Sequence, residues 1–159
     1  GDSGETADFI TDNLLWWWTQ QGIHRYADAR TVLILCDAGG GNSYRHHRFK
    51  DRLLALSQEL GLSFVVAHYP TGSPERWNPI EHRLFCHVHR ALSGVAFSDY
   101  ALIKARIEST TTSTGLRVYV RLNLGVYEKG VHVEKTISHD KRIHYHPTLP
   151  ALNYRINPA

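Results

Sequence analysis

Thr31-Val-Leu-Ile-Leu-Cys-Asp37, continued by Ala38-Gly-Gly-Gly-Asn42 and later by Leu62-Ser-Phe-Val-Val-Ala67, is the stretch whose reading decides the fold. Residues 31–36 form an unbroken apolar run rich in β-branched side chains, the pattern of a strand covered on both faces as in a parallel sheet. Phe49, Leu53, Leu56 and Leu60 then recur at helical spacing up to Gly61, which predicts a helix over 44–60 closed by glycine. Residues 62–67 supply a second apolar strand. Strand, crossover helix and strand make a βαβ unit, right-handed in about 98% of cases. Strands 31–36 and 62–67 are therefore expected to be parallel neighbours. Open α/β sheets bind ligands beyond the carboxyl ends of their strands, and Asp37 stands at such an end.

Upstream, Phe9, Ile10, Leu14, Trp17 and Trp18 give an amphipathic helix over 5–22 with Gly22 near its C-cap. Trp16, Trp17 and Trp18 cannot all face one side of it. Downstream, the Pro- and Gly-bearing loop 70–77 leads to Asn78-Pro-Ile-Glu81, with Asn78 as N-cap, Pro79 at the first helical position, and Leu84, Phe85, Val88 and Leu92 as apolar stripe. The same geometry carries Glu81 to the sheet edge that holds Asp37, so the two acids are expected to open onto one cleft as a divalent-metal site. A fourth helix is expected after Ser98, turning Tyr100, Ile103 and Ile107 inward and failing at Thr110-Thr-Thr112. Beyond Gly115, alternation at Leu116, Val118, Val120 and Leu122, a turn at Glu128-Lys-Gly130 and the run Val131-His-Val133 predict a β-rich tail with one hairpin. The last twenty residues or so show no clear period.

The chain has 159 residues, 42% of them hydrophobic, enough for one domain with a core. Eighteen Lys+Arg against 15 Asp+Glu give a net charge of +3, which permits a polyanionic partner without demanding one. Two cysteines make neither a disulfide framework nor a four-ligand zinc site, and the expected location is the cytoplasm. No apolar run is long enough for a membrane span, and Gly1-Asp-Ser-Gly-Glu5 lacks the parts of a signal peptide. Methionine is absent, so a fragment or processed product is expected.

Each candidate group has a plainer reading beside the chemical one. Asp37 either binds a ligand or caps the glycine turn. Glu81 either ligates a metal or closes a capping box on Asn78; paired acids favour Mg²⁺, which prefers carboxylate oxygens. The glycine turn, lacking a G-x-G-x-x-G order or a P-loop lysine, offers only a weak case for a nucleotide-binding Rossmann-like domain. His87 with His89 and His144 with His146 are possible zinc pairs without a third ligand; scattered surface histidines are the alternative. Arg45, His46, His47, Arg48, Lys50 and Arg52 form a basic cluster that either contacts phosphates or is a solvated helix face. Trp77 either packs as a hydrophobic staple, the favoured reading, or stacks on a base. No G-x-S-x-G elbow or Cys/His arrangement suggests covalent catalysis.

Asp37-Ala-Gly-Gly-Gly-Asn-Ser43, Trp77-Asn-Pro-Ile-Glu-His-Arg-Leu-Phe85, Thr110-Thr-Thr-Ser-Thr-Gly-Leu-Arg-Val118 and Asn153-Tyr-Arg-Ile-Asn-Pro158 together resemble the Rhodopirellula-type insertion-sequence transposases, a DDE family of the mariner-like superfamily. The resemblance spans nearly the whole chain. It implies an RNase H-like fold in which three carboxylates hold two Mg²⁺ for DNA strand nicking and transfer. Asp37 and Glu81 match the second and third acids. Ala38 stands where glycine is usual, and Leu152 where the family favours Trp. The first Asp belongs to a strand preceding the 5–22 helix; Asp2, Glu5 and Asp8 are too close to that helix to replace it. The expectation is thus a C-terminal transposase part, inactive alone, with DNA contacts at Arg45, Arg48, Lys50 and Arg76. Its expected architecture is α/β, a partial RNase H-like core over 1–114 with a β-rich extension over 115–159 packed on it. A non-catalytic, self-associating remnant is the competing reading. Loss of the strand beside 31–36 would leave an edge, covered either by a homodimer or by residues 116–122 folded back.

Overall fold

The computed structural model describes residues 5–37, 39–70, 77–95 and 99–159. They divide into two compact units, one formed by the described residues of 2–74 and 125–159, the other by those of 75–124.

The first unit is built on the predicted βαβ element. β1 (Thr31–Cys36) and β2 (Ser63–His68) are parallel, with Val32 opposite Phe64, Ile34 opposite Val66 and Cys36 opposite His68. The remaining strands come from the end of the chain, β3 (Ile143–Tyr145) and β4 (Asn153–Ile156), which pair antiparallel; β4 also pairs antiparallel with β2. The result is a mixed four-stranded sheet in the order β1-β2-β4-β3. Register puts Val32, Ile34, Phe64, Val66, Tyr154 and Ile156 on one face, which packs against helices α1 (Ala7–Trp17) and α3 (His47–Leu60). Every fully buried hydrophobic among the described residues lies in this unit, with Leu53, Phe64, Val66 and Ile156 at 0% exposure.

The expectation that β1 is covered on both faces is not met. Leu33 and Leu35 are 59% and 50% exposed, while Val32, Ile34 and Cys36 face the core. An unbroken apolar run carries no alternation, so the sequence cannot tell a half-buried strand from a fully buried one.

α3 follows the prediction, running 14 residues to Gly61, whose φ of 64° supplies the left-handed C-cap. Its buried stripe is Phe49, Leu53, Leu54 and Leu56. Thr6 caps α1 by accepting the Phe9 amide at 3.1 Å. Gly22 does not end this helix. The chain continues through a π-helical turn (Trp18–Gly22) into α2 (Ile23–Arg25). A Cβ on Gly22 would lie 2.5 Å from Cε3 of Trp18, so the glycine makes room for that ring. Of the three tryptophans only Trp18 is buried.

In the second unit a π-helical turn (Glu81–Phe85) leads into α4 (Cys86–Leu92), and α5 (Tyr100–Glu108) starts at Asp99, which accepts the Ala101 amide at 2.8 Å. The wider π turn departs from the spacing on which the apolar stripe was drawn, and Phe85 is exposed where Leu84, Val88 and Leu92 are half-buried. Tyr100, expected inward, is exposed at the first turn of α5. Residues 116–133 form no strand, contrary to expectation, and β1 pairs with β2 alone among the described strands. Their alternation is not matched by a partner strand among the described residues. Cys36 is buried and Cys86 exposed, both as free thiols. No helix among the described residues is long and apolar enough to cross a membrane.

Candidate functional site

Asp37 leaves the C-terminal end of β1, where the Tyr69 amide still donates to Cys36 O at 2.8 Å. The chain then enters the glycine turn. Gly40 has a φ of 60°, and Gly40–Asn42 form a 3₁₀ turn. Gly41 is buried against the start of α1; a Cβ there would lie 2.5 Å from Thr6 C and 2.7 Å from Ala7 N. This glycine is therefore used for close backbone packing. The Asn42 side chain satisfies its neighbours only with its NH₂ toward Gly39 O and Asp37 Oδ1, donating to them at 2.5 and 3.2 Å. Asp37 is exposed.

Beneath the turn lies a group the sequence reading did not single out. His68, 6% exposed at the end of β2, has Nε2 2.9 Å from Asn42 O and Nδ1 2.6 Å from Leu152 O. Both contacts are hydrogen bonds at once only when the ring carries both protons. Its ring meets Tyr44 edge-on at 6.0 Å and Tyr154 at 6.4 Å. The Leu152 contact uses the main chain, so it is indifferent to the departure from Trp there. A polar residue on the core face of an otherwise apolar strand is the signal that could have marked His68.

Of the four predicted DNA contacts, the structure leaves one open to solvent among the described residues. Arg45 is exposed and lies over the Tyr44 ring at 5.2 Å. Lys50 is 5% exposed, donates to Tyr44 O at 2.8 Å and sits 5.0 Å from the Tyr154 ring centroid. Burial holds its ammonium below the usual lysine range. Arg48 is taken up by Asp8, donating from Nη2 to Oδ1 at 2.7 Å and from Nε to Oδ2 at 3.0 Å, and by Asp51 at 2.9 Å. Its hydrogen bond is also the main reason the Asp8 carboxyl titrates below the usual range. Arg52 reaches Asp8 and Asp12 at 3.2 and 3.0 Å. The basic face of α3 is thus largely neutralised by acids of α1. Arg76 lies outside the described residues.

Glu81 opens the π-helical turn of its own unit and is half-buried. Asn78 Oδ1 accepts the Ile80 amide at 3.2 Å, and Asn78 Nδ2 donates to Glu81 Oε1 at 3.4 Å. The capping box is therefore closed on the Asn side chain rather than on its main-chain amide. Trp77, just before the cap, is 59% exposed, which does not fit the staple reading. His146 Nδ1 accepts the Thr148 and Leu149 amides at 3.2 and 3.3 Å, capping a turn. Burial, reinforced by the negative Asp37, pushes the Cys36 thiol up to about 12, keeping it a thiol at neutral pH.

As donors, Asp37 and Glu81 suit a hard cation. Each is a carboxylate with one oxygen touched by an Asn amide, and carboxylate oxygens held by outer-shell hydrogen bonds are what Mg²⁺ takes. No cluster of three or more His, Cys, Asp or Glu that could hold a metal occurs among the described residues.

An α/β sheet domain with a carboxylate following a parallel strand is compatible with the DDE transposase class, and comparison with known families gives that class directly. The family model described as Rhodopirellula transposase DDE domain matches residues 1–158, and the chain belongs to that family. No curated protein and no solved structure matches it.

Proposed function

We propose that the chain serves DNA transposition by Mg²⁺-dependent strand cleavage and transfer, with Asp37 and Glu81 as two of the three metal-holding carboxylates of an RNase H-like site. The observation that carries this reading is the family match over residues 1–158. The position of Asp37, just beyond a strand paired in parallel, supports it. The bound ions would stabilise charge on the attacking and leaving oxygens of phosphoryl transfer. For their part, Asp37 and Glu81 offer hard oxygens, Asn42 and Asn78 orient them, and exposed Arg45 meets the DNA backbone.

The test uses Mn²⁺ as a paramagnetic probe. Amide signals flanking Asp37 and Glu81 are expected to broaden on titration, and Asp37→Asn and Glu81→Gln to abolish the effect at the substituted acid. Broadening that is unchanged in both variants, or confined to surface histidines, would refute the assignment. With two carboxylates assigned to the site, residues 1–159 are expected neither to nick nor to join DNA on their own. Nicking of supercoiled plasmid by this protein, lost in Asp37→Asn, would overturn that. Binding to DNA should be weak, independent of sequence and strongly reduced by salt.

One observation favours self-association as well. β1 is the terminal strand of its sheet and carries exposed Leu33 and Leu35, an edge able to pair with a second copy. A homodimer through this edge is expected by light scattering at micromolar protein. A monomer with rapidly exchanging 31–36 amides would refute it.

A further inference from the structure

We propose that His68 is a positioning residue for the Asp37 carboxylate and acts on it through Asn42. The inference rests on reading Asp37 as a metal ligand. His68 is fixed in the β1–β2 ladder, in register with Cys36, the residue before Asp37. Its own amide and its Nδ1 both meet Leu152 O, at 3.2 and 2.6 Å, which pins the ring to the turn entering β4. The other end of the ring, Nε2, lies 2.9 Å from Asn42 O and donates to it when it carries a proton. With its main chain held there, Asn42 returns its amide to Gly39 O and Asp37 Oδ1. Asp37, Gly39 and Asn42 are thus tied together at the turn and held from below.

Lys50 adds a second lock by donating to Tyr44 O, two residues beyond Asn42. Two buried donors on separate elements, α3 and β2, therefore grip two carbonyls of one loop. The rest of β2 on that face is Phe64 and Val66, so an apolar residue at position 68 would continue the core. What such a residue would lose is the hold on Asn42. Asn42 Nδ2 thus takes up Asp37 Oδ1, and on the proposed reading the other oxygen is the one offered to the cation. Outer-shell partners of this kind are typically worth about 10–100-fold in metal affinity.

The experiment uses the 159-residue protein, Mn²⁺ as probe, and the variants Asn42→Ala, His68→Phe, His68→Gln and the double variant Asn42→Ala/His68→Phe. Asn42→Ala and His68→Phe are each expected to raise the Mn²⁺ midpoint of the Asp37-flanking amides by about tenfold or more. His68→Gln, which keeps an amide donor, should restore part of the loss. The double variant should be no worse than the more affected single one, because both act in one relay. The midpoint at Glu81 should move less than that at Asp37 in each of them. A merely structural role for His68 would give additive losses in the double variant or leave His68→Gln no better than His68→Phe, and either result would overturn the proposal.

A metal-free readout keeps it separable from the metal reading. The Asn42 side-chain NH₂ protons should exchange slowly in the parent and rapidly in His68→Phe. If Mn²⁺ ignores Asp37 but this protection is lost, the metal assignment fails and the relay stands. If the protection is unaffected in folded His68→Phe, the relay fails. Should His68→Phe not fold, Asn42→Ala, in a half-buried turn, decides through the Mn²⁺ midpoint.

Discussion

Replacing Gly41 by alanine tests whether the glycine turn beside Asp37 exists for packing. The added Cβ would sit 2.5 Å from Thr6 C, 2.7 Å from Ala7 N and 2.9 Å from Thr6 Cα, all main-chain atoms. Carbon–carbon contacts settle at about 3.5–4.0 Å, so helix and turn must separate by about 1 Å. The helix end cannot yield freely. Thr6 Oγ1 caps Phe9, Ala7 is buried in the core, and Asp8 is bound to Arg48 and Arg52. Forcing atoms into such a site costs about 1–3 kcal/mol. The loss of glycine freedom in the unfolded chain returns at most about 1 kcal/mol. Gly41 has no positive φ, so no dihedral term enters. The net expectation is about 2 kcal/mol of destabilisation, or a fall in Tm of about 4–8 °C for a chain of this size. Urea and thermal denaturation followed by circular dichroism measure it. Gly61→Ala is the companion: its Cβ meets nothing within 4 Å, so only the left-handed φ of 64° is penalised, by about 1–2 kcal/mol. Gly41→Ala as stable as the parent would refute the packing argument and return the turn to a ligand-binding reading.

Three further outcomes follow from the charges. Arg48→Ala should cost up to about 1 kcal/mol of stability by removing one of the two guanidiniums on Asp8 and leave DNA retention nearly unchanged, whereas Arg45→Ala should leave stability alone and weaken DNA retention; the reverse pattern would restore Arg48 as the phosphate contact. Asp140 is held at about 2 by the Arg142 guanidinium and then by the Arg142 amide, below its usual 3.8. A folded pKa below the unfolded one gives stability present above about pH 4 and lost as pH falls toward 2, about 1 kcal/mol at most after solvent screening. Asp140→Asn should therefore flatten the acid limb of stability between those pH values, and an unchanged limb would contradict it. Finally, Asn78→Ser keeps an N-cap oxygen but is too short to reach Glu81, so cap stability should stay within a few tenths of a kcal/mol while Mn²⁺ broadening at Glu81 weakens. Unweakened broadening would make Asn78 a cap alone.

The parts of the fold that could be read from sequence are those whose signal is local and repeated. The α3 stripe with Gly61 behind it, and the apolar β1 and β2 runs, specify a parallel βαβ unit without reference to the rest of the chain. The helix start marked by a short polar cap at Asn78 belongs with them. What could not be read depends on a partner distant in sequence. β4 pairs with β2 across some ninety residues, and its four-residue run, Asn153-Tyr-Arg-Ile156, is too short to declare itself as a strand. The alternation of 116–122 satisfies the strand pattern yet finds no ladder. Periodicity states which face a segment would bury if paired, and only a neighbouring strand makes the pairing. Gly22 shows the same dependence at shorter range, since its meaning lies in the Trp18 ring packed over it rather than in its power to stop a helix.

For the candidate site the division is chemical. A carboxylate after an apolar strand and another three residues after an Asn are visible as letters, because ligands must be acids and caps must be short and polar. The surrounding cations are not legible in the same way, since a Lys or Arg on α3 means one thing in solvent and another beside an acid of α1. Arg48 and Arg52 form part of a helix surface that looks like a phosphate stripe until Asp8 and Asp12, forty residues earlier, are laid across it. Lys50 points the other way, into a core where its ammonium finds Tyr44 O. Of the arginines and lysine in that cluster, Arg45, lying over the Tyr44 ring, is the one left exposed. A long basic side chain is therefore weak evidence for a nucleic-acid face until its acidic neighbours are known, whereas a buried polar residue such as His68 marks a constraint the fold must be satisfying, because leaving it unpaired would cost more than an apolar replacement.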